Sequence, residues 1–326
     1  MNKKKLCLLI AIVAFLAALG ITLYPIISTW YNARHQSQLH SQYQEQMQQV
    51  DVDKLQKERE KAIAYNQSII PGSQQVDYFS EEALSNASED YKDLLNLSGN
   101  GIMGYVQVPT VGITLPILHG TNDATLERGV GHLLGSSLPV GGVNTHTILT
   151  AHSGMASMKM FSDLDLLEKG DVFYLEVLGE KLAYRVDQIK VVLPHDTTYL
   201  GIASGKDYCT LVTCTPFGVN THRLLVRGSR IPYEEAEEEI QQIEDAPQQA
   251  STWERQYLKG LLIGLGSVAA LVLIILHVHW IRRWRNVCQQ SVYCHCADCV
   301  VSCGSGDCAV SHDKRMCCRQ QNRKGS

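Results

Sequence analysis

The chain has 326 residues, a formal net charge of −4 and 45% hydrophobic residues, which is enough for one large domain or two small ones. Lysine and arginine are concentrated near the two ends, so the long central region is strongly acidic. Because nucleic acids are anionic, such a region is a poor nucleic-acid binder, and we exclude that class of function.

Two uncharged apolar runs predict membrane-spanning helices. Residues 6–28 read "LCLLIAIVAFLAALGITLYPIIS" and residues 260–280 read "GLLIGLGSVAALVLIILHVHW", and each is long enough to cross about 30 Å of hydrocarbon. The first run follows "MNKKK", so a cleaved signal peptide is the alternative. Its length and the lack of a clear cleavage motif of small residues favour a retained anchor.

Basic residues orient both predicted spans. Lys3, Lys4 and Lys5 precede the first span, and "IRRWR" follows the second. The positive-inside rule therefore places both termini in the cytoplasm and the loop between the spans, about residues 29–259, outside the cell. We predict a two-pass protein of the cell membrane with an extracellular domain.

Between the spans, predicted helices precede a β-rich domain. Residues 29–66 are polar and contain no proline or glycine, which predicts one or two exposed helices, and "IIPGSQQ" then breaks them. From Gly101 to about Tyr233, short runs such as "THTILTAHSG" and "HRLLVRGSRI" alternate with turn residues, which predicts a β-barrel or a sandwich. The acidic residues 234–245 predict a short exposed helix.

These features divide the chain into seven predicted segments. They are a cytoplasmic N-terminus (1–5), a transmembrane helix (6–28), an extracellular helical stalk (29–96), a β-barrel or sandwich (97–233), an acidic linker (234–259), a second transmembrane helix (260–280) and a basic, cysteine-rich cytoplasmic tail (281–326). The stalk, the barrel and the linker would all lie outside the cell.

The 11 cysteines are unevenly spread. Cys209 and Cys214 alone fall between the predicted spans, and five residues apart on one strand they would be about 16 Å from each other. We therefore expect no disulfide between them, and a disulfide-stabilised domain is excluded.

Cys214 ends an apolar run, and "TPFG" then breaks the strand. A thiol at a strand end can face a groove and act as a nucleophile, although most free cysteines are simply buried. An antiparallel strand after "TPFGVN" would bring Arg223 beside Cys214, where its N–H groups could hold an oxyanion. The alternative for Arg223 is an ordinary surface arginine.

His152 is the preferred candidate for the base. It ends the run "TILTA" and opens into a loop, as Cys214 does, whereas His146 starts the same run at its other end. His222 precedes Arg223, and neighbouring residues of a strand point to opposite faces. Spacing therefore favours His152 over these two histidines.

At this point the residues resemble a family. "TLVTC" with an arginine nine residues later, and "AHSG" about sixty residues before the cysteine, resemble the sortases, which are bacterial cysteine transpeptidases. The resemblance covers about residues 65–233. "LPILHGTNDATLERGVGHLLGSSLPVGGVNTHTILTAHSG" and "NTHRLLVRGSRI" resemble class C, the pilin-polymerising sortases, and the two predicted spans also match that class.

The resemblance implies a mainly β fold, a closed eight-stranded sortase-type β-barrel with short helices, here flanked by two transmembrane helices. It implies that Cys214 attacks the Thr–Gly bond of an LPxTG-like sorting signal and forms a thioacyl-enzyme. His152 would be the general acid and base, Arg223 would stabilise the oxyanion, and Thr213 would bind substrate. In class C the resolving amine is a lysine of another pilin.

Class C sortases also share a lid, usually Asp-Pro-aromatic, over the cysteine. "DYFSEE" fits that position, with Tyr78 where proline is expected. The resemblance implies that Asp77 pairs with Arg223 and that Phe79 covers Cys214. Proline fixes φ and tyrosine does not, so this lid would be less rigid.

The tail, Cys288–Cys318, lies outside the resemblance. Its C-x-x-C at Cys296 and Cys299 suits zinc only in part, so a disordered tail, one arising from an altered reading frame, or a lipidated tail are alternatives. The catalytic chemistry requires no metal or organic cofactor.

The expected partners are the membrane and pilin or surface proteins with LPxTG-like C-terminal signals. Two other functions remain open at this point. One is a sortase that anchors proteins to a cell-wall precursor amine, and the other is a catalytically silent sortase-like binding protein.

Overall fold

Eight strands close into a β-barrel between residues 102 and 231. The computed structural model describes residues 3–69, 89–155, 158–245, 257–270, 272–274 and 277–282. The strands are β1 (Ile102–Val108), β2 (Ile113–His119), β3 (Val130–His132), β4 (Thr145–Thr150), β5 (Val172–Val177), β6 (Glu180–Val192), β7 (Asp207–Thr215) and β8 (His222–Ile231). Around the barrel they follow the order β1-β2-β3-β4-β7-β8-β6-β5. The predicted closed, eight-stranded, mainly β fold is confirmed.

Apolar side chains from all sides of the barrel form its core. Val106, Leu175, Leu211 and Val226 are fully buried there, because side chains of a closed sheet alternate between the interior and the exterior. Gly228 belongs to the same interior: a Cβ at this position would lie 2.6 Å from the Phe173 ring. The missing side chain lets the aromatic ring pass close to the backbone of β8.

Two strand pairings position the functional site. β4 runs parallel to β7, and β7 runs antiparallel to β8. The carboxyl ends of β4 and β7 therefore lie at the same rim of the barrel as the start of β8. This rim brings together three chain segments that are far apart in the sequence.

Among the described residues of the first compact unit, Met1–Leu258, five α-helices accompany the barrel. They are α1 (Lys3–Gln49), α2 (Val52–Ser68), α3 (Glu89–Asp93), α4 (Asp123–Leu126) and α5 (Tyr233–Asp245). The helices predicted for the stalk and for the acidic run are present. The boundary predicted at residue 28 falls inside α1, which continues from the apolar run into the polar stalk.

The predicted exposure of these helices holds for most of their residues, but each helix buries one face against the barrel. Tyr43 of α1 is 3% exposed and packs with Tyr105 of β1. In α2, the buried Asn66 donates to the Leu138 carbonyl and accepts from the Leu138 N–H. In α5, Ala236 and Ile240 are buried against β5 and β6. Polar composition suggested solvent exposure, but the polar side chains find hydrogen-bond partners on the barrel.

The second unit, Lys259–Ser326, is described through one helix, α6 (Tyr257–Arg282). Within the described ranges this is the one helix long and apolar enough to cross a membrane, with a mean hydropathy of 2.7. It contains the second predicted span. The first predicted span, residues 6–28, forms part of α1 and is not shown to cross a membrane.

Candidate active site

Cys214 is the penultimate residue of β7 and its side chain is half-buried. Pro216 follows Thr215 and cannot continue the ladder because it lacks an N–H group, and Gly218 turns the chain with φ of 74°. Cys209, earlier on β7, is fully buried in the barrel. Both thiols are free.

Arg223 lies directly opposite Cys214 in the antiparallel register of β7 and β8. Directly opposed residues of an antiparallel pair point to the same face of the sheet. The Arg223 Nη1 donates to the Asn220 carbonyl at 3.2 Å and to the His222 carbonyl at 3.1 Å. The guanidinium is therefore steered by the backbone of the loop that joins the two strands.

His152 follows β4 by two residues. In the parallel register Thr150 pairs with Val212, and the Ala151 N–H donates to the Val212 carbonyl at 3.1 Å. Extending this register brings His152 level with Cys214. The Ser153 hydroxyl donates to the Cys214 carbonyl at 2.8 Å. The residues directly before and after His152 are therefore both hydrogen-bonded to β7.

The three predicted catalytic residues thus come from three adjacent segments of the barrel wall. Cys214 lies in the middle, His152 on the β4 side and Arg223 on the β8 side. Residues at one register level share a face, so the arrangement can place a proton-transfer group and a cationic hydrogen-bond donor on opposite sides of the thiol. This geometry suits attack on an acyl group.

Burial and Arg223 act in opposite directions on the thiol. Burial raises the pKa of Cys214 above its ordinary value, and the positive charge of Arg223 partly offsets this increase. The net direction is upward, and a thiol attacks as the thiolate, so a neighbouring base that accepts the thiol proton would assist attack.

Other histidines of the barrel are held as structural groups. Burial lowers the pKa of His132 and of His146 to about 4. The His146 ring hydrogen-bonds with the Gly201 carbonyl and the Thr210 hydroxyl, and the His132 ring hydrogen-bonds with the Tyr91 hydroxyl. Neither is available to the rim, which agrees with the preference for His152 over His146.

Thr213 is 2% exposed, and its hydroxyl donates to the Ala151 carbonyl at 2.9 Å. It is adjacent to Cys214 on β7, and both residues line the same small cavity. In this structure Thr213 ties β7 to the segment that carries His152. The lid residues Asp77, Tyr78 and Phe79 lie outside the described residues, as does the tail from residue 283.

A small cavity of about 20 Å³ adjoins the thiol, and its lining includes residues that the sequence did not indicate. Ser153, Asp165 and Phe217 line it together with Cys214. The Phe217 ring packs on Gly154, where a Cβ would lie 3.3 Å from the ring. In the sequence, the glycine at the end of "AHSG" was a signal that another side chain packs closely here. Within the described ranges, no group of three or more His, Cys, Asp or Glu residues could hold a metal ion.

Comparisons with known proteins identify the family. The family described as "Sortase domain" matches residues 106–231. The solved sortase C-1 from Streptococcus pneumoniae is 40% identical with a TM-score of 0.56, and the match covers 60% of this chain and 99% of that one. The chain belongs to the sortase family. Sortase C1 from Streptococcus agalactiae is 43% identical with a TM-score of 0.54, covering 60% of this chain and 98% of that one.

Curated sortases are more distant. Sortase D of Bacillus subtilis is 30% identical over 131 residues. The match covers 39% of this chain and 63% of the length of sortase D. Sortase A of Bacillus anthracis is 24% identical over 231 residues, covering 71% of this chain and 97% of that protein. The predicted resemblance to sortases is confirmed, and the solved neighbours at 40–43% identity are sortases of class C.

Proposed function

We propose that this sortase is a membrane-anchored transpeptidase that cleaves an LPxTG-like sorting signal and transfers the acyl group to a lysine amine of a pilin. The observation that carries the proposal is the alignment of His152, Cys214 and Arg223 on adjacent segments of the barrel rim. Two similar solved proteins support the class of substrate. The sortase C of Streptococcus pneumoniae is described with pilin substrate specificity, and a group B Streptococcus sortase C2 belongs to a pilus island.

In the proposed first step His152 takes the proton of the Cys214 thiol as the sulfur attacks the threonine carbonyl carbon, while Arg223 stabilises the oxyanion. The Thr–Gly bond breaks, and His152 gives a proton to the leaving glycine amine. A thioester on Cys214 remains. The acceptor amine then attacks this thioester, the C–S bond breaks, and the thiol group is regenerated.

The nucleophile is tested with a peptide that contains an LPxTG-like signal. Mass spectrometry of the intact protein is expected to detect an acyl adduct on the wild type and none on Cys214→Ala. Cys209→Ala is the matched control, because that thiol is buried inside the barrel, and it is expected to retain the adduct. Acylation of Cys214→Ala would overturn the proposal.

The acceptor distinguishes the proposed function from its alternatives. The acyl-enzyme is offered a pilin and a cell-wall precursor mimic in one reaction, and the product is sequenced across the new bond. An isopeptide bond to a pilin lysine is expected. A bond to the precursor amine would instead indicate an anchoring sortase, and an enzyme that never acylates would indicate a silent binding protein.

We also propose that Asp77 and Phe79 form a lid over Cys214, with Asp77 pairing with Arg223. Alkylation of Cys214 by iodoacetamide is expected to be faster in Asp77→Ala and Phe79→Ala, because either change weakens the cover. Tyr78→Pro is expected to slow alkylation, since proline restricts the backbone. Equal rates in all four proteins would contradict the lid.

A further inference from the structure

We propose that Asp165 determines acceptor specificity by binding the positively charged amine beside the thioester on Cys214. The proposal rests on the proposed function, because it assigns the second substrate of the same site. It concerns a residue that neither the motifs nor the three aligned catalytic residues include.

Asp165 and Cys214 line the same cavity, together with Ser153 and Ser162. The cavity offers about 20 Å³, which is room for about one water-sized group. An ammonium group has nearly this size. The Asp165 side chain is exposed, so an amine arriving from solvent can reach the carboxylate before it reaches the thioester.

The position of Asp165 is fixed relative to His152. Asp165 is the middle residue of a 3₁₀-helix, Leu164–Leu166, and its neighbour Leu164 is fully buried. The Phe161 N–H donates to the His152 carbonyl at 3.0 Å, and the Leu164 N–H donates to the Phe161 carbonyl. The carboxylate and the proposed base therefore belong to one anchored loop.

The charge around Asp165 favours a cation. Asp165 is exposed at the surface, but the partial loss of water around its carboxyl raises its pKa, and the nearby carboxylate of Asp163 raises it further. Asp163 is compensated by Lys159, whose Nζ lies 3.1 Å from a carboxylate oxygen. Among the described residues Asp165 forms no salt bridge of its own, so a bound ammonium would relieve the unfavourable environment of this carboxylate.

The proposed step balances in atoms and charge. The acceptor binds as an ammonium ion against Asp165 and gives one proton to neutral His152, because an ammonium has no lone pair for attack. The neutral amine forms the C–N bond, the C–S bond breaks, and the sulfur leaves as a thiolate beside the protonated His152. The second proton of the nitrogen passes to solvent.

Hydrolysis by water does not require a site for a positively charged amine. The comparison of hydrolysis with transfer to an amine therefore tests the proposal. The thioacyl-enzyme is formed with a sorting-signal peptide, and its decay is followed at increasing concentrations of a lysine-containing acceptor peptide. Asp165→Asn is expected to form the adduct and to hydrolyse it at the wild-type rate. It is expected to need an about tenfold higher acceptor concentration for half-maximal transfer, the size of one lost charge-assisted interaction.

Three controls make the result specific. Glu168→Gln removes the same charge from the same loop at an exposed residue outside the cavity, and it is expected to behave as the wild type. Asp165→Glu keeps the charge and is expected to recover most of the transfer. Hydroxylamine, which is neutral at neutral pH, is expected to resolve the adduct equally in all variants.

The outcomes separate this inference from the proposed function. An unchanged acceptor dependence in Asp165→Asn would overturn the role of Asp165, as would an Asp165→Glu variant as poor as Asp165→Asn. An equal loss of transfer to hydroxylamine would also overturn it, because the defect would then not concern charge. Failure of the wild type to form any adduct would instead reject the proposed transpeptidase.

Discussion

Two neighbouring influences set the reactivity of Cys214. Burial favours the neutral thiol, whereas Arg223, directly opposite on β8, favours the thiolate. The net effect is a pKa of Cys214 above its ordinary value. In the proposed mechanism the same arginine also stabilises the oxyanion, so one side chain would act on both the nucleophile and the transition state.

Replacing Arg223 by alanine is expected to raise the pKa of Cys214 further. The thiolate fraction falls about tenfold for each unit by which the pKa rises above the pH, so alkylation by iodoacetamide at pH 8 is expected to slow by several-fold. Arg223→Lys keeps the charge and is expected to stay close to the wild type. The measurement is the alkylation rate as a function of pH, and identical profiles for alanine and arginine would contradict the electrostatic role.

At individual residues the sequence was informative where the signal was local. The turn sequence "TPFGVN" after Cys214 was enough to predict that Arg223 lies beside Cys214. Asp165 gave no such signal, because its approach to the thiol depends on how the loop after His152 folds back on the barrel. The assignment of Thr213 to substrate stays a prediction, and Thr213 lines the cavity beside Cys214.

Among the elements, α1 and the barrel share a buried carboxylate. Glu176 of β5 hydrogen-bonds with the His40 ring at 3.0 Å and accepts from the Gln44 and Gln107 side chains at 3.1 and 3.2 Å. Burial alone would raise the pKa of Glu176, but the hydrogen bonds from His40 and Gln44 lower it overall. The ionised form is therefore favoured by folding. Its stabilisation is present above the pKa of an unfolded glutamate and is lost as the pH falls through the lower folded value.

Glu176→Gln is expected to lower the free energy of unfolding by about 1–3 kcal/mol at pH 7, because charge-assisted hydrogen bonds become neutral ones. Its stability is also expected to fall less than that of the wild type between pH 6 and pH 3. Urea unfolding across this range checks both statements. Glu180→Gln is the control, since its ion pair with Arg59 lies at the surface and is worth little. An equal loss in both variants would contradict a special role for Glu176.

The sequence predicted the helices better than their environment. Glu58 of α2 is buried and accepts from the Leu95 N–H, as Asn66 is buried against Leu138. Hydropathy patterns classify such residues as solvent-facing, because they count polarity and do not count partners. In the barrel the sequence predicted the short strands but not how they pair. The parallel pairing of β4 with β7 depends on contacts between residues that are far apart in the sequence.

For the whole molecule, the question is which side of a membrane each end occupies. The helix Tyr257–Arg282 is apolar enough to cross, and basic residues follow it in the sequence. We expect a tag placed after residue 326 to resist protease added to intact protoplasts, while the barrel is digested, because basic flanks stay in the cytoplasm. Permeabilised protoplasts provide the control, in which the tag is expected to be lost. Digestion of the tag in intact protoplasts would contradict the two-pass arrangement.

Helix α1 has a mechanical consequence. It continues from the predicted first span into the segment where His40 meets Glu176 on the barrel. At about 1.5 Å per residue, the stretch between residue 28 and His40 rises ~18 Å. A continuous helix is a rigid spacer, whereas a flexible linker would let the distance between the barrel and the membrane vary. The thiol would then work at a set height above the bilayer, and a substrate would be cut only if its own spacer presents the sorting signal at that height.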